Sequence, residues 1–267
     1  MKPPPFAYER PRSVEEAVTA LADGDAKVLA GGQSLVPALN MRVVRPTRLI
    51  DINHVVDLDN VVETGDVLVV GALVRQADSR LRRHPLLAQA LPHVGHYVTR
   101  NRGTVCGSVA HADAAAELPL CLTVLGGTVV ARSTAGEREI GADEFFVGHF
   151  TTALRADELV VETVWPSRGA GWGFAFEELA QRHGDYALCM AAAAARDDEL
   201  RVAVGAVTAA PTLLEVDPDR PGESAAAQVE PWGNLHASPE YQRQLVRVLV
   251  DRAVGRVRRQ ANAEGAP

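Results

Sequence analysis

At 267 residues, 47% hydrophobic and 23% charged, the chain has the make-up of an ordinary soluble globular protein, long enough for one large domain or several smaller ones. Its net charge of −7 speaks against a nucleic-acid partner, because phosphate binding is driven by clustered Lys and Arg. The three cysteines, Cys106, Cys121 and Cys189, are scattered without C-x-x-C spacing, which excludes a cysteine-held iron–sulfur cluster or structural zinc in this chain and points to a reducing cytoplasm.

The opening Met1-Lys2-Pro3-Pro4-Pro5 carries no apolar signal segment behind it. Ser13 and Glu16 then read as a capping box, and Val14, Ala17, Val18 and Leu21 share one face of the helix they open. Asp23-Gly24-Asp25 ends that helix. A strand, Lys27 to Ala30, runs into Gly31-Gly32-Gln33-Ser34, followed by a helix over Leu35 to Met41 and a second strand over Leu49 to Ile52. Val67 to Gly71 reads as a third strand leading to a helix around Gln76 to Leu81. The stretch from Tyr97 to Pro119 is rich in glycine, alanine and small polar residues. Leu122 to Ala131 and Leu159 to Trp165 read as strands separated by a turn at Ala135-Gly136.

Pro166 to Gly173 gathers several breakers and reads as a linker, dividing the chain into 1–168 and 169–267. Beyond it, Gly184 to Ala195 and Leu200 to Thr208 suggest two strands joined by the turn Arg196-Asp197-Asp198-Glu199. Pro211 to Pro231 reads as a loop with a short helix, and Ser238 caps a last helix bearing Leu245, Leu249, Arg252 and Arg256. The most apolar run, Tyr186 to Ala195, falls far short of the roughly 20 residues that span a bilayer. Short strands interleaved with helices, without a regular βαβ rhythm, favour an α+β architecture.

Two glycine loops carry the chemistry. In Val28-Leu29-Ala30-Gly31-Gly32-Gln33-Ser34-Leu35 a strand ends, two glycines follow, and a polar pair opens a helix. Glycine lets backbone amides approach a ligand closely, and amides at a helix start suit phosphate oxygens. A plain strand–turn–helix connection explains this loop alone equally well. The second loop, Arg100 to His111, again mixes glycines with hydroxyls, Thr104 and Ser108, and two such loops suit a diphosphate held from both sides. Glu117 follows, either as an acceptor for a ligand's hydrogen bonds or as a carboxylate facing a helix dipole. No G-x-G-x-x-G follows a strand, and neither a Walker loop nor H-E-x-x-H is present. His111-Ala112-Asp113 reads as ordinary hydrogen bonding, and the arginines of the last helix as a solvated face. The residues single out no catalytic acid or base and no metal ligand.

Ala30-Gly31-Gly32-Gln33-Ser34-Leu35-Val36-Pro37 resembles the glycine signature of the flavin subunits of molybdenum hydroxylases, the medium subunits of aerobic carbon monoxide dehydrogenase and its relatives, which are similar to the flavin domain of xanthine dehydrogenase. Arg100-Asn101-Arg102-Gly103-Thr104 through Glu117-Leu118-Pro119, Gly184-Asp185-Tyr186-Ala187 and His236-Ala237-Ser238-Pro239-Glu240-Tyr241 resemble further family segments in the same order. The likeness runs from about Phe6 to Val257.

This resemblance implies an FAD-binding domain of the vanillyl-alcohol-oxidase type over 1–168, made of two subdomains of about 1–55 and 56–168. A smaller α+β C-terminal domain over 169–267 would cover the cofactor. Val28, Leu29, Ala30, Gly31, Gly32, Gln33, Ser34 and Leu35 would embrace the FAD diphosphate from one side, and Thr104, Val105, Cys106, Gly107 and Ser108 from the other. Glu117 would take the family's acidic flavin-contacting position, with Tyr186 near the ring. A large partner would carry the molybdenum cofactor and a small partner [2Fe–2S] clusters, in a heterotrimer or its dimer. Electrons would reach FAD from the clusters and leave to an external acceptor.

Some positions depart from the family pattern. Ala114 replaces a proline, and Glu178 and Gln181 stand where relatives often carry Lys and Arg. Cys106 stands where relatives usually have glycine, so its thiol is expected to crowd the phosphate loop; a positive φ there would cost on the order of 1 kcal/mol or more. That crowding is the support for one alternative, an assembly module of the same fold without FAD. The other alternative is a free-standing flavin oxidoreductase that uses nicotinamide directly.

Overall fold

A computed structural model describes residues 2–169 and 171–264, so Ala170 in the expected linker and residues 265–267 of the expected C-terminal domain lie outside the described residues. The chain opens with β1 (Ala7–Glu9), α1 (Val14–Ala22), β2 (Ala26–Leu29), α2 (Leu35–Asn40) and β3 (Arg48–Asp51). The strands form a parallel sheet in the order β1-β3-β2, each helix returning the chain to the same sheet edge direction. Ser13 Oγ accepts the Glu16 N–H at 3.1 Å, while the Glu16 carboxylate accepts the Arg12 N–H at 2.8 Å. One arm of the expected capping box therefore lands a residue early. Ala17, Val18 and Leu21 are buried as their spacing predicts.

The next stretch holds β4 (Val61–Thr64), β5 (Val67–Gly71), α3 (Pro85–Ala90), α4 (Tyr97–Arg100), α5 (Val105–His111), α6 (Glu117–Leu125), β6 (Thr128–Ser133), β7 (Gly136–Gly141), α7 (Ala142–Phe145), β8 (Phe146–Gly148), β9 (Thr151–Thr152) and β10 (Leu159–Pro166). Five of its strands make an antiparallel sheet in the order β4-β5-β10-β6-β7. The helix expected at Gln76 to Leu81 is instead a 3₁₀ turn over Ser79–Arg83, with α3 after it. Asp78 accepts the Arg80 N–H at 2.8 Å to start that turn late, and Pro85 closes it.

The larger correction concerns Leu122 to Ala131, expected as one strand. Residues 117–125 form α6, and the strand begins only at Thr128. Every residue of α6 is buried, because the helix lies between the five-stranded sheet and the sheet that follows it. Such a helix has no polar face, and its apolar run cannot be told from a buried strand by periodicity. Gly126, at φ 65°, ends it: the N–H groups of Gly126 and Gly127 return to Thr123 O and Leu122 O at 3.1 and 2.9 Å.

Last come β11 (Gly173–Ala180), β12 (Ala187–Arg196), β13 (Glu199–Gly205), β14 (Thr212–Leu214), α8 (Pro221–Gln228) and α9 (Pro239–Glu264). The strands pair antiparallel in sequence order. β12 is buried on both faces up to Ala195. Its Met190, Ala192 and Ala194 join the core around α6, while Ala191, Ala193 and Ala195 join a second core with Val246, Leu249, Val250 and Ala253 of α9. Alternation along a strand sends neighbouring residues to opposite faces, so one strand serves two cores. Strands β1, β4, β7, β8, β9, β11 and β14 were not anticipated from the residues; β12 starts later than expected because Gly184 and Asp185 form a turn.

Candidate functional site

The two glycine loops meet back to back. After β2, Ala30-Gly31-Gly32 crosses to α2, with Gly32 at φ 73°, a left-handed conformation that favours glycine. A Cβ on Gly31 would stand 2.8 Å from Gly103 Cα, so only glycine lets the loops touch main chain to main chain. Among the described residues the N–H groups of Gly32, Gln33, Ser34 and Leu35 meet no protein acceptor. Gln33 and Ser34 are exposed beside them.

The second loop is held more firmly. Gly103 N–H donates to Thr99 O at 2.7 Å, and the Val105 N–H to Val74 O at 3.0 Å. Thr104 caps α5, its Oγ1 accepting the Gly107 N–H at 3.0 Å. Gly107 and Ser108 face partly outward, whereas the side chains of Val105 and Cys106 are buried.

Cys106 does not crowd the loop as expected. It sits in the first turn of α5 outside the positive-φ residues, and its Sγ points inward, 3.4 Å from Val70 O and 3.5 Å from Thr163 Oγ1. Burial pushes its thiol up to about 12, so it stays neutral. Only its main chain lies with the loop.

A clamp that the sequence reading missed ties the loops together. Asn53 Nδ2 donates to Ala30 O at 2.8 Å, Arg75 Nη2 donates to Asn53 Oδ1 at 2.7 Å, and Arg75 Nη1 donates to Arg102 O at 2.6 Å. Asp51 accepts from the Asn53 main-chain N–H at 3.0 Å and from the Tyr8 hydroxyl. Burial works to raise the Asp51 carboxyl, but these hydrogen bonds hold it below its ordinary range. Gln76 braces the second loop alone: its N–H donates to Gly103 O at 2.9 Å and its Nε2 to Thr104 O at 3.3 Å, while its Oε1 is buried without a partner among the described residues. The local signal was an Asx turn at Asp51-Ile52-Asn53, which marks a bend but not its partners.

Unpaired amides, glycines that a Cβ would block, and the nearby guanidinium groups of Arg75 and Arg102 fit a diphosphate. A separate group of residues is acidic, with Glu117, Asp113 and Glu178 near one another. Glu117 opens α6 and is buried; desolvation first, and the Glu178 charge next, raise its carboxyl to about 8. Tyr186 lies on the turn before β12, 72% exposed, with Asp113 and Glu117 as charged neighbours. Gly184 in that turn packs against His96, beside α4, which leads into the second loop. Among the described residues no cluster of three or more His, Cys, Asp or Glu is arranged to hold a metal, and no helix is long and apolar enough to cross a membrane.

A family model described as the FAD binding domain in molybdopterin dehydrogenase matches residues 4–168. The chain is 39% identical to the 6-hydroxypseudooxynicotine dehydrogenase complex subunit alpha of Paenarthrobacter nicotinovorans, over 96% of this chain and 95% of that one. Among solved structures, a chain of quinoline 2-oxidoreductase from Pseudomonas putida 86 superposes with a TM-score of 0.91 at 35% identity, covering 98% of this chain and 99% of the other. A chain of carbon monoxide dehydrogenase from Hydrogenophaga pseudoflava gives 0.92 at 31% identity, covering 97% and 99%.

Proposed function

The chain belongs to the FAD-binding family of the molybdopterin dehydrogenases, oxidoreductase subunits, and from that premise we propose that it is the electron-relay subunit of a heteromeric molybdenum hydroxylase. In this reading residues 1–168 bind FAD and residues 169–267 form a second domain against it. A large partner oxidises the substrate at a molybdenum cofactor, and a small partner passes the electrons on through [2Fe–2S] clusters. When bound, the flavin takes electrons singly and gives them up in pairs, which suits a relay to a two-electron acceptor.

The observation that carries the reading is the pair of glycine loops, locked back to back by Asn53 and Arg75 with free amides at their mouth. Gly32 to Leu35 on one side and Gly107 and Ser108 on the other would hold the diphosphate. Arg75 and Arg102 would balance its charge, and Glu117 and Tyr186 would border the ring. The proposed role asks this chain to bind and orient a cofactor and needs no acid or base of its own. With Cys106 turned into the core, the assembly-module alternative loses the feature that favoured it.

For the substrate we infer a nitrogen-containing ring compound. The relatives at 39% and 35% identity are named for 6-hydroxypseudooxynicotine and quinoline, whereas relatives named for carbon monoxide stand at 32% and 31%. The first test is an absorbance spectrum of the purified chain with release of the chromophore. One FAD per chain supports the relay, and protein that stays colourless with FAD and with co-expressed partners sinks it. The complex should then reduce a dye with N-heterocycles and not with carbon monoxide.

A further inference from the structure

A ladder of contacts runs along β11, the edge strand of its sheet, and takes no part in the proposed diphosphate site. His84, just before α3, meets Phe174 edge-on with ring centroids 5.5 Å apart. Its Nδ1 accepts the Leu86 N–H at 3.2 Å, so its Nε2 carries the proton and donates to Pro166 O at 3.1 Å. Gln89 of α3 stands in for a neighbouring strand. Its Nε2 donates to Phe174 O at 2.9 Å, and its Oε1 accepts the Phe176 N–H at 3.3 Å. His93, after α3, packs on Phe176 with centroids 5.3 Å apart, and its Nδ1 lies 3.7 Å from Glu178 Oε1. Past Glu178 the strand runs out into the exposed turn that carries Tyr186, where Gly184 rests on His96.

The rungs differ in what pH does to them. His84 is buried with both nitrogens already bonded as a neutral ring, burial lowers its proton affinity, and the Gln89 amide does not titrate. His93 has a side chain 37% exposed and is raised above its usual 6.5, first by Glu178 and against desolvation, with Glu117 of α6 and Glu177 of β11 adding to the attraction. Other groups around it are engaged or neutral. Arg100 Nη1 donates to Val94 O and Gly95 O at 2.8 and 3.0 Å, and Glu177 is held by Arg256 Nη2 of α9 at 2.6 Å. Cys121 of α6 and the Tyr186 phenol are both raised, chiefly by burial. Glu178 is the exacting partner: its side chain is 3% exposed, and its Oε2 has no hydrogen-bond partner among the described residues. There, His93 is its one basic neighbour within ion-pair distance. Once the imidazolium loses its proton, a buried carboxylate is left without a cation, and water reaches it only if the end of β11 moves away. The attraction is therefore complete at low pH and is lost as pH rises through the His93 titration.

We propose that β11 is the arm of a lid: its start is pinned at His84 and Gln89, and the His93–Glu178 ion pair is the catch that holds the Tyr186 turn down while the imidazole is protonated and frees it when it is not. His93 and Glu178 are positioning residues. That the lid covers a flavin rests on the FAD reading given above; the catch does not.

The test places spin labels on the full-length, FAD-free chain at Val98→Cys of α4 and Arg182→Cys of the turn, both exposed, the three native cysteines being buried. The distance between the labels reads the lid from about pH 5.5 to about pH 8.5, and the His93 ring resonances read the catch. The ratio of long to short distance should rise by up to about tenfold per pH unit and level off once the His93 ring has titrated. In His93→Gln the catch is gone and Glu178 is stranded at every pH, so the ratio is high and level. In Glu178→Gln no charge is stranded, so the ratio is low and level, and the His93 ring titrates at lower pH than in wild type. A purely structural role predicts that both variants loosen the turn alike, with no pH dependence in wild type. A wild-type distance indifferent to pH overturns the proposal, as does a rise that persists in His93→Gln and so belongs to Glu117. Should His93→Gln fail to fold, the wild-type match between distance and His93 titration, together with Glu178→Gln, still decides. Added FAD separates the two readings: binding that favours the short distance supports a lid over flavin, while a working catch in protein that takes up no FAD overturns the flavin reading alone.

Discussion

Arg75 holds a side-chain carbonyl and a main-chain carbonyl with one planar guanidinium: Arg102 O lies in the second glycine loop, and Asn53 in turn holds Ala30 O of the first. Arg75→Met keeps the aliphatic bulk but removes both donors and is expected to cost about 1.5–3 kcal/mol, typical of hydrogen bonds to a charged group. The FAD-to-protein ratio should fall with it. Arg75→Lys should restore little, because an ammonium does not span two acceptors as the guanidinium fork does. Gly31→Ala tests the contact between the loops. Its Cβ would meet the Gly103 main chain, which cannot swing away as a side chain can, so a loss of about 1–3 kcal/mol and of bound FAD is expected. Cys106→Ala should behave oppositely. Its Sγ is packed between Val70 and Thr163, so stability drops by about 1 kcal/mol while FAD stoichiometry is unchanged. In the native wild type this thiol should resist alkylation until the chain unfolds, the buried neutral form being unreactive.

At the level of elements, the alanines of β12 set the distance between α6 and α9 by their small size. Ala192→Leu would push into the core around α6 and is expected to destabilise by about 1–3 kcal/mol, seen as a lower urea midpoint. Elements with a polar face or a marked end were legible in the residues: α1 through Ser13 and its buried stripe, β2 with its glycine loop, and α9 through Ser238, which accepts the Tyr241 N–H at 3.2 Å. The helix α6 was not, because burial on all sides erases the alternation that separates helix from strand. Short edge strands such as β4 and β14, of four and three residues, were missed for another reason, since so short a run carries too little pattern to stand out from a loop. The same holds at the site. The glycine loops announce themselves locally, but the Asn53–Arg75 clamp joins residues 22 apart in sequence, and Arg75 reaches a carbonyl 27 residues on. Glu178 was noticed only as a change of charge; its burial beside His93 is a product of tertiary packing.

Across the whole molecule, stability should bend with pH in two directions. Glu158 is held below its ordinary 4.5 by Arg138, and Asp78 below 3.8 by Arg80, so both add stability above those values and lose it as pH falls. Glu117 has the opposite sign. Raised from 4.5 to about 8, it contributes fully below 4.5, and that contribution is lost as pH climbs to about 8. Urea unfolding of the FAD-free chain should therefore show a decline over that interval that Glu117→Gln removes, leaving the acid limb in place. The burial of α6 has a further consequence in time. A helix enclosed by two sheets can exchange its amide hydrogens only when the molecule opens globally, whereas the exposed turn of Tyr186 can open alone. Deuterium uptake should be slowest over 118–125 and fast around 184–186. The proposed flavin site would then have one side that stays shut for the life of the fold and one that breathes, and the breathing side is the door.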